Sequence, residues 1–369
     1  MKPETLAAYA GRNIPRYTSY PTAPNFTAAV GEGAYRAWLG ALDPRLELSL
    51  YLHVPFCRSM CWYCGCHTTV TARQEPVSRY LGGMGREAEL VAAALPAQMK
   101  VRHVHFGGGS PTLMRPEQMA ALMARLRARF AIADGAEIAI EIDPRTLEAP
   151  MIAALADAGV NRASIGVQSF DPKVQRAINR VQPYETVSGA VAALRGHGIG
   201  AINFDLIYGL PGQTAASCID TVERALRLEP DRFAVFGYAH VPAFKRHQRK
   251  IDSALLPGGA ARWEQAAAVA ATLAKAGYVA VGLDHYARPD DGLARALAAG
   301  ALHRNFQGYT TDGCGALIGL GASSIGRLPE GYVQNAVSIS DYQRQIGDGA
   351  LPIAPGYAAD ADDPVRAAV

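Results

Sequence analysis

LSLYLHVPFCRSMCWYCGC, residues 48–66, passes from a β-rich stretch directly into a loop that holds four of the chain's six cysteines, Cys57, Cys61, Cys64 and Cys66. Thiolates this close on one loop converge on a soft metal centre, which a structural disulfide would not require. Two kinds of centre are open to them. Structural zinc takes two pairs of ligands separated by a hairpin or helix, and no second pair follows here. A 4Fe-4S cubane held by three thiolates keeps its fourth iron open to chemistry. The spacing of Cys57, Cys61 and Cys64, with three and then two residues between them, favours the cubane. Cys66, one residue past Cys64, is expected to point away in an extended loop and not to serve as a ligand.

Outward from this loop, strand and helix patterns alternate. LSLYLHV (48–54), VRHVHF (101–106), EIAIEI (137–142), RASIGV (162–167), INFDLIY (202–208) and RFAVFGY (232–238) are β-rich. Helical periodicity follows them at 77–95, 116–130, 148–158, 171–179 with 184–197, 214–228 and 260–276. Six βα units with short connections imply an α/β fold with a parallel sheet and right-handed crossovers, a partial (β/α)6 TIM-like barrel. The expected division is an N-terminal extension over the active site (1–45), the barrel (46–285), substrate-proximal loops and barrel-closing elements (286–345), and a poorly ordered tail (346–369). In such a barrel, chemistry collects at the carboxyl ends of the strands, and there the cysteine loop, GGGSPT, Glu141, Gln168 and Asp205 all fall.

Composition narrows the partners. The 369 residues carry 36 basic and 33 acidic side chains, so no global field draws nucleic acid or an anionic membrane. No apolar leader opens the chain and no run of about 18 uncharged apolar residues occurs, so a cytoplasmic protein with a small-molecule substrate is expected. Cys218 and Cys314 stand alone, and no disulfide scaffold is implied.

Other groups on the same rim suit a ligand. GGGSPT (107–112) lacks the fingerprint of a dinucleotide site and the lysine of a P-loop, but consecutive glycines let backbone approach a ligand closely. Glu141, Gln168 and Asp205 can bond ribose hydroxyls, and Arg180 can hold a carboxylate, although Glu141 or Asp205 could equally cap a helix or pair structurally. Tyr63 offers a face to a purine, and both Tyr51 and Tyr63 could simply pack in the core. His53, His103 and His105 alternate on strands and are given no role. DHYARPDD (284–291) with LHRNFQGYTT (302–311) suits contacts to a flat carboxylated ligand or a plain surface loop.

The cysteine spacing, the glycine triplet and the six-unit barrel together resemble the radical S-adenosylmethionine superfamily. Within it, RYTSYPTA (16–23), LYLHVPFC (50–57), CGC (64–66), FGGGSPT (106–112), EIDPR (141–145), GVQSF (166–170), INR (178–180), DLIYGLPGQT (205–214), YAH (238–240), QRKI (248–251), DHYARPDD and HRNFQGYTT (303–311) are similar, in order, to the oxygen-independent coproporphyrinogen III oxidase family. The resemblance implies that Cys57, Cys61 and Cys64 bind a 4Fe-4S cluster and that Cys66 does not. It implies one S-adenosylmethionine at Tyr51, Gly108, Glu141 and Ile325, and a second near Tyr63, Gly109, Ser110, Gln168, Arg180, Asp205 and Ala239. Tyr51, Glu141, Phe306 and Gln307 become the residues nearest the chemistry, the last two beside the substrate pocket. Ser110 stands where the family usually has threonine and keeps the hydroxyl.

The implied activity is oxidative decarboxylation of two propionates of coproporphyrinogen III to vinyl groups, giving protoporphyrinogen IX, through a 5′-deoxyadenosyl radical. The implied partners are that substrate and an electron donor such as flavodoxin or ferredoxin, with the chain a monomer that binds neither nucleic acid nor membrane. Family members continue into a mainly helical C-terminal domain, whereas this chain stops at Val369, so the barrel and its loops are expected without that domain. Two other readings compete: a heme-binding or heme-chaperone protein of the same superfamily without decarboxylase activity, and a zinc module on a silent barrel.

Overall fold

Six parallel strands form the centre of the computed structural model, which describes Thr5, residues 20–363 and Arg366. They are β1 (Leu48–Val54), β2 (Lys100–Gly108), β3 (Ala131–Ile142), β4 (Arg162–Gln168), β5 (Ala201–Tyr208) and β6 (Arg232–Gly237), hydrogen-bonded in that order. Ten α-helices lie among the described residues: α1 (Glu32–Ala41), α2 (Gln74–Ala94), α3 (Pro116–Arg129), α4 (Ala149–Asp157), α5 (Pro172–Ala177), α6 (Tyr184–Gly196), α7 (Ala215–Leu226), α8 (Gly259–Lys275), α9 (Gly292–Ala298) and α10 (Ile339–Gly347). This is the α/β, TIM-like architecture that the βα rhythm implied.

The inner strands alternate in a way that shapes the interior. On β4, Ala163, Ile165 and Val167 are buried outward, while Arg162, Ser164 and Gly166 face in. On β5, Ile202, Phe204 and Leu206 pack outward and Asn203 and Asp205 face in. Each large side chain buried against the helices contributes about 1.5–3 kcal/mol, so the outer faces hold the sheet while the inner faces are free to be polar. The lumen is therefore a lined cavity, unlike the filled interior of an ordinary TIM barrel.

The sheet continues past both ends of the parallel set. Beyond β6 come β7 (Val279–Val281) and β8 (His285–Ala287), with β8 antiparallel to β6. A two-stranded hairpin, β9 (His303–Asn305) and β10 (Gly308–Thr310), follows. β11 (Ala316–Leu320) then runs parallel to β1 on its free side, Leu48 opposite Ala316. β12 (Ile325–Leu328), β13 (Gly331–Asn335) and β14 (Ile353–Ala358) extend it antiparallel. The order has two ends, β14 and β7, so among the described residues hydrogen bonds do not close the barrel.

The expectation of a poorly ordered tail from 346 fails over 346–358. Residues 346 and 347 end α10, and β14 pairs with β13 and makes a bridge to Thr27 near the other end of the chain. A backbone ladder needs no apolar period, which is why composition gave no sign of it. RYTS (16–19), most of the extension before it, and residues 364, 365 and 367–369 lie outside the described residues. No helix among the described residues is long and apolar enough to cross a membrane.

Candidate active site

The cysteine loop hangs over the carboxyl ends of the strands because its base is pinched. Phe56–Cys57 pair in parallel with Thr69–Val70, so the residues between them form one excursion. Side chains from two other βα loops hold its backbone: Asn179 donates to the Met60 carbonyl at 2.9 Å, Gln248 to Tyr63 at 3.1 Å and Lys245 to Cys66 at 3.0 Å. His247 Nε2 lies 2.7 Å from the Cys64 carbonyl. A loop held at this many points presents its thiols in a fixed arrangement.

The sulfurs have distinct surroundings. Ser110 Oγ lies 3.7 Å from Cys57 Sγ, and burial pushes the Cys57 thiol up to about 11 against that bond. Cys61 Sγ is approached by Arg145 Nη2 at 3.4 Å and Arg180 Nη1 at 3.5 Å. A hydrogen bond from Cys66 draws the Cys64 thiol below its ordinary value. Cys66 is thus not turned away as the extended-loop reading expected: the chain bends at Cys66 itself, which lies on the same cavity wall.

That cavity holds about 390 Å³ and is lined by Cys57, Cys61, Tyr63, Cys64, Gly108, Gly109, Ser110, Glu141, Gln168, Arg180, Asp205 and Ala239. Gly108 has φ 110, and a Cβ on Gly109 would lie 2.5 Å from the Phe56 carbonyl oxygen, so the glycine run is demanded by the close approach of β2 to the cysteine loop. The Gly108 amide donates to Glu141 at 3.1 Å, and His105 Nε2 lies 3.4 Å away. Burial opposes ionisation of Glu141, but His105 and the Gly108 amide outweigh it and hold the carboxyl below its usual range. Asp143, buried likewise, is held down by Arg145 and Arg180. Arg180 also donates to the Gly166 carbonyl at 2.7 Å, and its charge is favoured despite its burial.

A register shift between Gly166 and Gln168 bulges the end of β4, and Gln168 takes φ 64. Bulges re-aim side chains beside active sites. Here the result is a buried Gln168 Oε1 without a hydrogen-bond partner, on the cavity wall. A buried acceptor of this kind is costly unless a ligand supplies a donor.

A second cavity of about 400 Å³ lies deeper in the lumen and shares Cys66, Glu141, Ser164, Asp205 and Phe236 with the first. Tyr51 and Gln307 line it. Tyr51 stacks on His105 with ring centres 5.7 Å apart, and its hydroxyl lies 3.0 Å from His53 Nδ1. Phe306 and Ile325 are not on either cavity wall. They line a small separate pocket with Tyr20 and Tyr332, where Phe306 packs edge-on against Phe26 at 6.1 Å. Sequence reasoning missed His105, which sets the charge of Glu141, and Arg145, which faces Cys61. The EIDPR segment held the signal for Arg145, since the proline after Asp143 forces a turn that returns the guanidinium to the carboxylate.

Asp205 gives a pH prediction. Burial, and then the repulsion of Glu141, raise it to about 7 against the bonds from Ser164 and Asn203. The folded protein therefore binds an extra proton between the ordinary carboxyl range and pH 7. That contribution to stability is fully present below the unfolded value and is lost as pH rises through 7. Between pH 5.5 and 8, wild-type protein free of ligands should lose about 2 kcal/mol relative to Asp205→Asn. Urea unfolding at the two pH values measures the difference, and parallel curves would remove the assignment.

The residues fit a 4Fe-4S cluster with S-adenosylmethionine. Four cysteines face one cavity, a glycine cradle lies beside them, and the unpartnered Gln168 oxygen awaits a donor such as a sugar hydroxyl. Comparisons with known proteins agree. Residues 51–225 match the radical SAM superfamily model. The chain is 56% identical over 367 residues to the oxygen-independent coproporphyrinogen III oxidase of Bradyrhizobium diazoefficiens, covering all of this chain and 82% of that one. It is 45% identical over 360 residues to the protein of that name from Paracoccus denitrificans, covering 98% and 80%. The solved coproporphyrinogen III oxidase of Escherichia coli, described as a radical SAM enzyme, superposes with a TM-score of 0.92 at 41% identity, covering 95% of this chain and 80% of that one. The chain belongs to the oxygen-independent coproporphyrinogen III oxidase family, within the radical S-adenosylmethionine superfamily.

Proposed function

We propose that this chain decarboxylates two propionate side chains of coproporphyrinogen III oxidatively to vinyl groups, yielding protoporphyrinogen IX without oxygen. The observation that carries the proposal is the joining of the cysteine-ringed cavity to a polar lumen in a chain so similar to enzymes of that name. When bound, the cluster and S-adenosylmethionine supply reductive cleavage of the sulfonium and hence the species that abstracts hydrogen.

The chain's own residues bind, orient and exclude. Cys57, Cys61 and Cys64 hold the cluster. Gly108 and Glu141 orient the amino-acid part of one cofactor molecule, while Tyr51 and Gln307 close the deeper wall. Gln168, Arg180, Asp205, Tyr63, Gly109, Ser110 and Ala239 form a second cofactor position in the same cavity. Phe306 and Ile325 act from behind this wall. The heme-carrying alternative is not favoured, since the relatives reported above carry the name of the oxidase.

Incubating anaerobically reconstituted protein with dithionite, S-adenosylmethionine and coproporphyrinogen III should release carbon dioxide and form vinyl product. No decarboxylation with an intact cluster would refute the proposal. The enzyme is proposed to work as a cytoplasmic monomer, reduced by an acidic redox protein of the flavodoxin or ferredoxin kind. Arg246, Arg249 and Lys250 are exposed on the segment whose Lys245 and His247 grip the cysteine loop, and Lys250 lies over Trp62. Reversing charge at Arg246 and Arg249 to glutamate should slow donor-driven turnover about tenfold at low salt. Dithionite-driven turnover should be unchanged, and equal rates with both reductants would move the docking surface elsewhere.

A further inference from the structure

At the opposite end of the lumen from the cysteine loop, three unlike ligand groups converge. His103 on β2 meets Asp312 and Cys314, which lie in the segment leading into β11. A ring nitrogen, a carboxylate oxygen and the thiol all lie within 4.8 Å of one another. His103 Nε2 is 3.9 Å from Asp312 Oδ1, too far for a hydrogen bond. Cys314 is buried, and His103 and Asp312 are largely so.

The carboxylate is already oriented. Ser49 on β1 donates to Asp312 Oδ2, and the Cys314 amide donates to Oδ1 at 2.9 Å. Such outer partners fix metal-ligating carboxylates in place. The Cys314 thiol bonds to both Ser49 and Asp312, and with the His103 ring nitrogen these groups face one point, a good set of donors for a cation. Ser49, His103 and Asp312 also line the deeper cavity, so a fourth position opens to the lumen.

We propose that His103, Asp312 and Cys314 form a second metal site, suited to zinc, that clips β1 and β2 to the segment entering β11. Nitrogen, oxygen and thiolate donors around one point suit borderline-soft zinc and discriminate against magnesium and calcium. Binding replaces the thiol proton by a sulfur–zinc bond, and the proton leaves to solvent. A lumen water completes the four-coordinate shell. The site stands apart from the cluster loop and does not depend on the proposed reaction.

The test uses full-length protein with its cluster reconstituted anaerobically, zinc as the probe, and X-ray absorption at the zinc edge, which iron does not obscure. One zinc per chain is expected, with a single sulfur at about 2.3 Å and lighter donors at about 2.0–2.2 Å. Cys314→Ala should weaken zinc binding on the order of 100-fold and leave the iron content unchanged. His103→Gln is the second variant, should the first fail to fold, and should weaken zinc likewise while the sulfur contact persists. Failure to retain zinc at micromolar concentration would overturn the proposal. So would a shell of two or more sulfurs that disappears in Cys61→Ser, because the zinc would then sit in the cluster loop.

Discussion

Cys64→Ser should lose most of its cluster iron and its visible absorbance, with turnover down at least about 1,000-fold, whereas Cys66→Ser should keep its iron and stay within about threefold of wild type. Both thiols line one cavity and the two touch through a hydrogen bond, so proximity does not separate them. What separates them is spacing: Cys57, Cys61 and Cys64 suffice for three corners of a cubane. Cys66 is left hydrogen-bonded to Cys64. Iron analysis of both variants after identical anaerobic reconstitution is the measurement. Equal loss of iron in the two would make Cys66 a ligand and close the position at which the cofactor must bind.

Arg180→Met should be nearly as damaging, for a different reason. Arg180 is buried, donates to the Gly166 carbonyl, and shares Asp143 and Cys61 with Arg145. Removing one partner of a buried charge pair costs about 3–5 kcal/mol, because Asp143 stays in place with only Arg145 to satisfy it. Turnover should fall at least about 100-fold, since the guanidinium also lies beside Gln168 at Gly166 on the cavity wall. Arg180→Lys should recover part of the stability but not the two-pronged contact, because an ammonium cannot reach Gly166 and Asp143 in one plane. Thermal unfolding of the anaerobic protein and cofactor titration provide the two readouts. A methionine variant with wild-type stability and affinity would show that the clamp around Asp143 has no function.

Much of this site could be read from the chain before any coordinates. Each strand is a short apolar run that ends in a polar or glycine signal, and right-handed crossovers send all those ends to one rim, so Cys57, Gly108, Glu141, Gln168 and Asp205 meet by topology. The extension from β11 to β14 was harder to read. Its strands are four to six residues long, and glycines interrupt them, so neither alternation nor length marked them. Phe306 and Gln307 are adjacent in sequence and point to opposite sides of the hairpin between β9 and β10, one into an aromatic group with Phe26 and one into the lumen. A motif places both at the same spot, whereas the two-residue turn of the hairpin sends them apart. The bend at Cys66 and the reach of His105 to Glu141 depend on contacts between distant segments, which spacing along the chain does not encode.

The bridge between Thr27 and Gly356 joins positions separated by nearly the whole polypeptide. During synthesis the six central strands emerge in the order in which they pair, so the ribosome can release them into an assembling sheet one at a time. The segment around Thr27 is made first and must wait until the last strand has cleared the exit tunnel before it finds its partner. A nascent chain arrested before residue 353 should therefore have a protease-resistant sheet and a nickable leading segment, because the strand that holds Thr27 has not yet been made.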